Sequence, residues 1–255
     1  LFKVKSFAHT PFCDIEDLRY LSKKGILITE NISEADVIIS QNYKHLRKYF
    51  WRFLQNKKFL IWTLEPRFDT SFKSPKKKLL GAFVCHIMNI YTRDVFTTGL
   101  TFTVQDINKD LHLLKTGFKP KNKKIVALIS FFGGINAPVL IRDHRDIDLI
   151  KTRSTIAQEG RRRGVLDIYG KGWPEGIAIE DSREGNWKDR KMEILEKYSF
   201  NLCFENTIAH NYITEKLWDS IENYCLPIYY GKGTNVYEIF PKNSFLDYSS
   251  FENPE

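Results

Sequence analysis

The chain has 255 residues, 42% of them hydrophobic, with a formal net charge of +8. That is enough for one large core or two modest ones, and the lack of any run of about 18 apolar residues excludes a membrane-spanning helix. The positive charge puts nucleic acid, an anionic membrane surface and nucleotide substrates forward as partners, but no zinc-finger, RNA-recognition or helix-turn-helix signature accompanies it.

In chain order, residues 3–7 read as a strand, 14–23 as a helix and 35–40 as a second strand. Residues 45–54 form a basic, aromatic helix, and 59–64 (Phe-Leu-Ile-Trp-Thr-Leu) a buried strand. Alternation of this kind predicts an α/β unit with a largely parallel sheet, whose ligands meet the carboxyl ends of the strands. Glu65-Pro66 stands at such an end. A carboxylate there is a candidate general base or a surface glutamate before a proline turn. Residues 83–90 are apolar and lead into Tyr91-Thr-Arg-Asp94, where Asp94 is the other first-unit carboxylate to consider as a base.

Residues 115–124 are polar, basic and punctuated by Gly117 and Pro120, which predicts a linker. We therefore expect one α/β domain over 1–118 and a second over 119–255. The second opens with a strand at 125–130, a helix at 151–160 and a strand at 165–170 that ends in a glycine turn. The basic runs 76–78, 121–124 and 161–163 read as solvated loops or helix ends. Cys13, Cys85, Cys203 and Cys225 are far apart with no C-x-x-C pair, so buried thiols are expected rather than a disulfide framework. That favours a reducing compartment. No secretory signal opens the chain, and the start at Leu1 leaves room for a removed anchor.

Residues 200–231 carry the chemistry. Phe200 to Phe204 alternates apolar and polar as a strand does; Ile213, Leu217 and Ile221 then recur on one helical face, and 226–231 is a short buried strand. Thr214 stands at the N-cap position with Glu205, Asn206, Tyr212, Glu215 and Lys216 crowding the same βα junction. A helix N-terminus favours phosphate, Lys216 adds a full charge, and the carboxylates, amide and aromatic ring suit sugar hydroxyls.

These residues resemble a known signature. Phe200-Asn-Leu-Cys-Phe-Glu-Asn-Thr, Tyr212-Ile-Thr-Glu-Lys216 and Leu226-Pro-Ile-Tyr-Tyr-Gly231 look like the α1,3-fucosyltransferases of glycosyltransferase family 10. The resemblance implies a GT-B fold, two Rossmann-like domains facing across a cleft, the first for acceptor and the second for donor. It implies GDP-fucose as donor, a glycan acceptor, inversion, and no required metal or other cofactor. Carried over, Glu65 is the catalytic base, while Arg153, Asn206, Tyr212, Glu215 and Lys216 bind the donor. Partners are then GDP-fucose and an oligosaccharide or glycoconjugate, with no nucleic acid, and a peripheral membrane contact through the basic surface. The location implied is cytoplasmic or peripheral to a membrane, or the Golgi lumen where an anchor has been removed.

Two signals are rejected. His144-Arg-Asp-Ile-Asp148 imitates a kinase catalytic loop, but Lys151 stands where its asparagine belongs and no later Asp-Phe-Gly follows. Asp146-Ile-Asp148 also has the D-x-D form that holds a divalent cation in other glycosyltransferases, yet it closes no clear strand. Two alternatives stay open: another nucleotide sugar in the same frame, and a non-catalytic binder of nucleotides or nucleic acid.

Overall fold

The computed structural model describes residues 1–4, 7, 11–63, 76–79, 83–88, 121–133, 139–181 and 185–251. The chain separates into two compact units, Leu1–Thr97 and Thr98–Glu255. The expected boundary at 118/119 falls outside the described residues and stays a proposal.

The first unit holds β1 (Phe2–Lys3), α1 (Ile15–Lys23), β2 (Val37–Ser40), α2 (Tyr43–Leu46), β3 (Lys58–Trp62), β4 (Lys76–Leu79) and β5 (Phe83–Met88). Its sheet runs in the order β1-β2-β3-β5-β4, parallel except for β4. Alternation along β3 decides the layers. Phe59 and Ile61 pack with Ile38 and Leu46 on one face, whereas Leu60 and Trp62 join Ile39 and Leu21 on the other. Residues 45–54, expected as one helix, are the end of α2 followed by a 3-10 helix, Arg47–Gln55. Asn42 starts the run by accepting the His45 N–H at 3.0 Å. The 76–78 lysine run, expected in a loop, lies on edge strand β4, a place where lysine is common because it discourages pairing with another chain.

The second unit holds β6 (Asn122–Leu128), a hairpin of β7 (Ile141–Arg142) and β8 (Arg145–Asp146), α3 (Ile150–Arg162), β9 (Leu166–Tyr169), α4 (Trp187–Leu195), β10 (Tyr198–Leu202), α5 (Glu215–Glu222), β11 (Leu226–Tyr229), α6 (Val236–Ile239) and β12 (Leu246–Asp247). Its sheet is wholly parallel, in the order β12-β11-β10-β6-β9. Ala157 of α3 packs with Ala127 and Ile168 on one face; Ile194 and Leu195 of α4 pack with Val126 and Tyr198 on the other. Two covered faces explain the near-continuous apolar strands. Gly170 ends β9 at φ +143°, and a Cβ there would stand 2.2 Å from the Ile129 carbonyl oxygen, so this turn requires glycine.

Residues 121–124 correct the linker expectation, for Asn122 already begins β6. The lysines are tolerated because they leave the sheet at its rim: Lys121 Nζ donates to the Asn223 carbonyl at 2.9 Å, and Lys124 Nζ meets the buried Asp167 at 3.2 Å. The two-unit Rossmann-like α/β class expected from the sequence holds.

Candidate donor site at the sheet switch point

From β6 the chain passes to β9 on one side of it, then returns to place β10 on the other. The strand order therefore reverses between β6 and β10, and in open α/β sheets ligands bind outside the carboxyl ends of the strands at such a point. The segment that leaves the carboxyl end of β10 is Cys203 to Thr214, and it feeds α5.

Glu205 organises this junction. It is 2% exposed. Its Oε1 accepts from the Thr214 backbone N–H at 2.8 Å and from the Thr214 hydroxyl at 2.8 Å; its Oε2 accepts from Lys216 Nζ at 2.8 Å. Lys216 also donates to Thr214 Oγ1 at 2.6 Å. Thr214 stands at the N-cap as expected, but its hydroxyl serves Glu205 rather than its own helix. A carboxylate of the chain thus occupies part of the anion-favouring helix end. Among the described residues, two of the three N–H donors of Lys216 go to these partners, which leaves its third, on a side chain a quarter exposed, for a ligand oxygen. Burial works against the ammonium, yet Glu205 and Glu215 outweigh it and raise the Lys216 pKa.

Glu215 follows in the first turn. Its Oε1 lies 3.8 Å from Lys216 Nζ and 3.8 Å from the Nζ of Lys191, which reaches across from α4. Burial pushes the Glu215 carboxyl up, but Lys216 and Lys191 bring it below the ordinary value. Lys191 is in turn paired with Asp219, one turn further along α5. Tyr212 is 3% exposed, and the nearby Tyr229 phenol is driven well above its ordinary pKa by burial, then by Glu205.

Arg153 arrives from α3. The 147–149 segment is stitched to the loop after β10, with Leu149 N–H donating to the Asn206 carbonyl at 3.0 Å and Ile208 N–H to the Ile147 carbonyl at 2.8 Å. This fixes the start of α3 beside the junction. Arg153, 6% exposed, donates from Nη1 to the Phe204 carbonyl at 3.3 Å, and its charge acts on Lys216. The structure therefore gathers Arg153, Asn206, Tyr212, Glu215 and Lys216 around one switch point. Glu65 and Asp94 lie outside the described residues.

The rejected motifs have structural explanations. Asp143 and His144 form the two-residue tip of the β7–β8 hairpin, both at positive φ. Asp146 Oδ1 accepts the Asp148 N–H at 2.9 Å, and Asp148 Oδ2 accepts the Lys151 N–H at 3.1 Å, so both carboxylates serve the backbone. Sequence reasoning missed Lys191 and Asp219. The signal that could have found them is the i, i+4 spacing of Glu215 and Asp219, which lets one cation span both.

An α/β domain with cations and hydroxyl-binding groups at its switch point is a frame for a phosphorylated ligand. Residues 146–255 match the family model described as glycosyltransferase family 10 (fucosyltransferase), C-terminal. Over residues 146–255 the second unit is therefore similar to the C-terminal part of that family. Over 78 residues the chain is 43% identical to the alpha-(1,3)-fucosyltransferase FucT of Helicobacter pylori, covering 31% of this chain and 16% of that protein. Over 88 residues it is 36% identical to an alpha-(1,4)-fucosyltransferase of Arabidopsis thaliana, covering 34% and 21%. Over 92 residues it is 39% identical to the human 3-galactosyl-N-acetylglucosaminide 4-alpha-L-fucosyltransferase FUT3, covering 35% and 23%. In each case the match spans less than a quarter of the relative. A crystal structure of an alpha1,3-fucosyltransferase with GDP overlays on 99% of this chain and 73% of its own, at 18% identity and a TM-score of 0.47.

Proposed function

We propose that this chain transfers fucose from GDP-fucose to a glycan hydroxyl, the 3-OH of an N-acetylglucosamine or glucose unit, with inversion at the anomeric carbon. The observation that carries this reading is Lys216, held at the first turn of α5 by the buried Glu205, beside Arg153 and Glu215 at the switch point. Charge builds on the departing diphosphate in the transition state, and an oriented ammonium and guanidinium stabilise it there more than in the ground state. Asn206, Tyr212 and Glu215 are assigned to the fucose and ribose hydroxyls, and Glu65 to the proton of the acceptor hydroxyl. The named relatives support the substrate class, since their names specify fucosyl transfer, with α1,3 linkage in one case and an N-acetylglucosaminide acceptor in another. Among the described residues no helix is long and apolar enough to cross a membrane; peripheral membrane contact through the basic surface belongs to the proposal.

The test is transfer from GDP-fucose to lactosamine acceptors, in excess EDTA. Substantial turnover is expected, because the two cations take the place of a metal on the diphosphate. Loss of turnover on chelation, reproduced by Asp146→Asn or Asp148→Asn, would reject the metal-free scheme. GDP binding should be selective over UDP and weakly dependent on salt; a steep salt slope without base selectivity would instead favour a polyanion binder. In the same assay Glu65→Gln should lower kcat about a hundredfold with GDP affinity intact, and an unaltered kcat would move the base role to Asp94.

A further inference from the structure

We propose that Lys191 is a positioning residue of the donor site, which holds Glu215 in place and keeps Lys216 available to the diphosphate. The inference rests on the donor-site reading above.

Lys191 is 9% exposed and is carried by α4, whose Ile194 and Leu195 are wholly buried in the core, so its reach is fixed. Its ammonium pairs with Asp219 and lies 3.8 Å from Glu215 Oε1. Those two carboxylates sit one turn apart on α5, and one cation spans both. Glu215 is consequently held midway between two ammoniums, with Lys216 Nζ also at 3.8 Å. Remove Lys191 and, among the cations set beside Glu215 in the described residues, Lys216 is the one that remains to attract it. The carboxylate would then close on Lys216 and occupy the N–H that the diphosphate needs.

Stability alone is a poor explanation for the Lys191–Asp219 pair, because well-packed apolar residues often replace a buried ion pair without loss. What such a pair does supply here is a fixed charge at the edge of the site. The groups facing Glu215 agree with this. Lys191 comes from α4, Lys216 and Asp219 from its own helix and Thr214 from the cap, while Glu205 and Arg153 act on Lys216. The two lysines keep the Glu215 carboxyl below its ordinary value, so it stays ionised against its burial.

The experiment compares wild type, Lys191→Arg and the double variant Lys191→Met/Asp219→Leu, which removes the cation without stranding the Asp219 charge. Thermal melting reports folding. Should the apolar pair fail to fold, Lys191→Gln/Asp219→Asn is read in the same way. In the folded double variant the KM for GDP-fucose should rise at least tenfold, with a smaller change in kcat. Donor binding falls as Glu215 becomes protonated; Lys191 acts on Glu215 at 3.8 Å and more strongly than Asp219 does, so its loss raises the Glu215 pKa by more than loss of the Asp219 anion lowers it, and the acid limb of binding should move to higher pH. Lys191→Arg keeps the charge and should hold that limb at its wild-type position. A folded double variant with unchanged KM and an unmoved limb would overturn the positioning role alone. A wild-type protein that binds no GDP-fucose would overturn the donor reading and this proposal together.

Discussion

Glu205 has the environment of a structural carboxylate and a consequence for chemistry. Its buried charge is balanced by Lys216, so Lys216→Ala alone removes the proposed ligand for the diphosphate and also strands a buried anion, at about 3–5 kcal/mol. The two effects separate in the pair Glu205→Gln/Lys216→Met. We expect Lys216→Ala to lose turnover about a hundredfold or more together with a marked drop in Tm. The double variant should recover much of the Tm but not the turnover; recovery of both would place Lys216 outside the reaction. Lys216 and Glu215 were legible in the sequence because a first helical turn can be read from periodicity. The role of Glu205 was not, although the residue was noticed, because nothing in the sequence says which way a carboxylate turns. Lys191 and Asp219 stand 28 positions apart on different helices, and only their packing brings them together.

At the scale of elements, most strands and helices were legible from the change between period two and period 3.6, and the errors have a common cause. Cationic runs read as loops, yet two of them lie on strands, at 76–78 and from Asn122. A rim or edge position lets a lysine leave the sheet, and the pattern alone does not reveal rims. The strand expected to begin at Phe200 starts at Tyr198, which is 4% exposed and pairs with Asn122. Helix α4 was not anticipated, since in its nine residues Trp187 stands alone at the start and Met192, Ile194 and Leu195 follow only after four polar residues. Short elements at the chain's far end depend on one side chain. Asp247 Oδ1 accepts from Gly231 N–H at 2.9 Å and from the Ser249 hydroxyl at 2.7 Å, and its Oδ2 accepts from the Tyr237 hydroxyl at 2.5 Å. Burial pushes its carboxyl up, but the hydrogen bonds from Tyr237, Ser249 and Gly231 outweigh this and hold it below its ordinary value. A carboxyl lowered on folding contributes stability above its unfolded pKa, and that stability is lost as pH falls through the folded value. Asp247→Asn should therefore destabilise the protein at neutral pH and flatten the acid side of a profile of urea midpoints; parallel profiles for variant and wild type would refute it.

For the molecule as a whole, the thiols report on integrity. Cys85, Cys203 and Cys225 are buried and Cys13 is exposed. Burial pushes Cys203 up to about 12 and Cys225 up to about 11, so neither is a thiolate at neutral pH. A disulfide reagent should find one fast thiol in the native protein and three more only on unfolding. A second fast thiol would mean that a core opens under native conditions. The wholly parallel sheet of the second unit has another consequence, which concerns how it is made. Its earliest strand among the described residues, β6, accepts β9 on one side and β10 on the other, after which β11 joins β10 and β12 joins β11. Each strand leaving the ribosome therefore meets an open edge laid down before it. Synthesis and assembly can then run in the same direction, since no strand of this sheet has to be inserted between two that were made before it. The proposed donor site lies at the β6 flank where β10 docks, so its residues come together as α5 follows β10, ahead of β11 and β12.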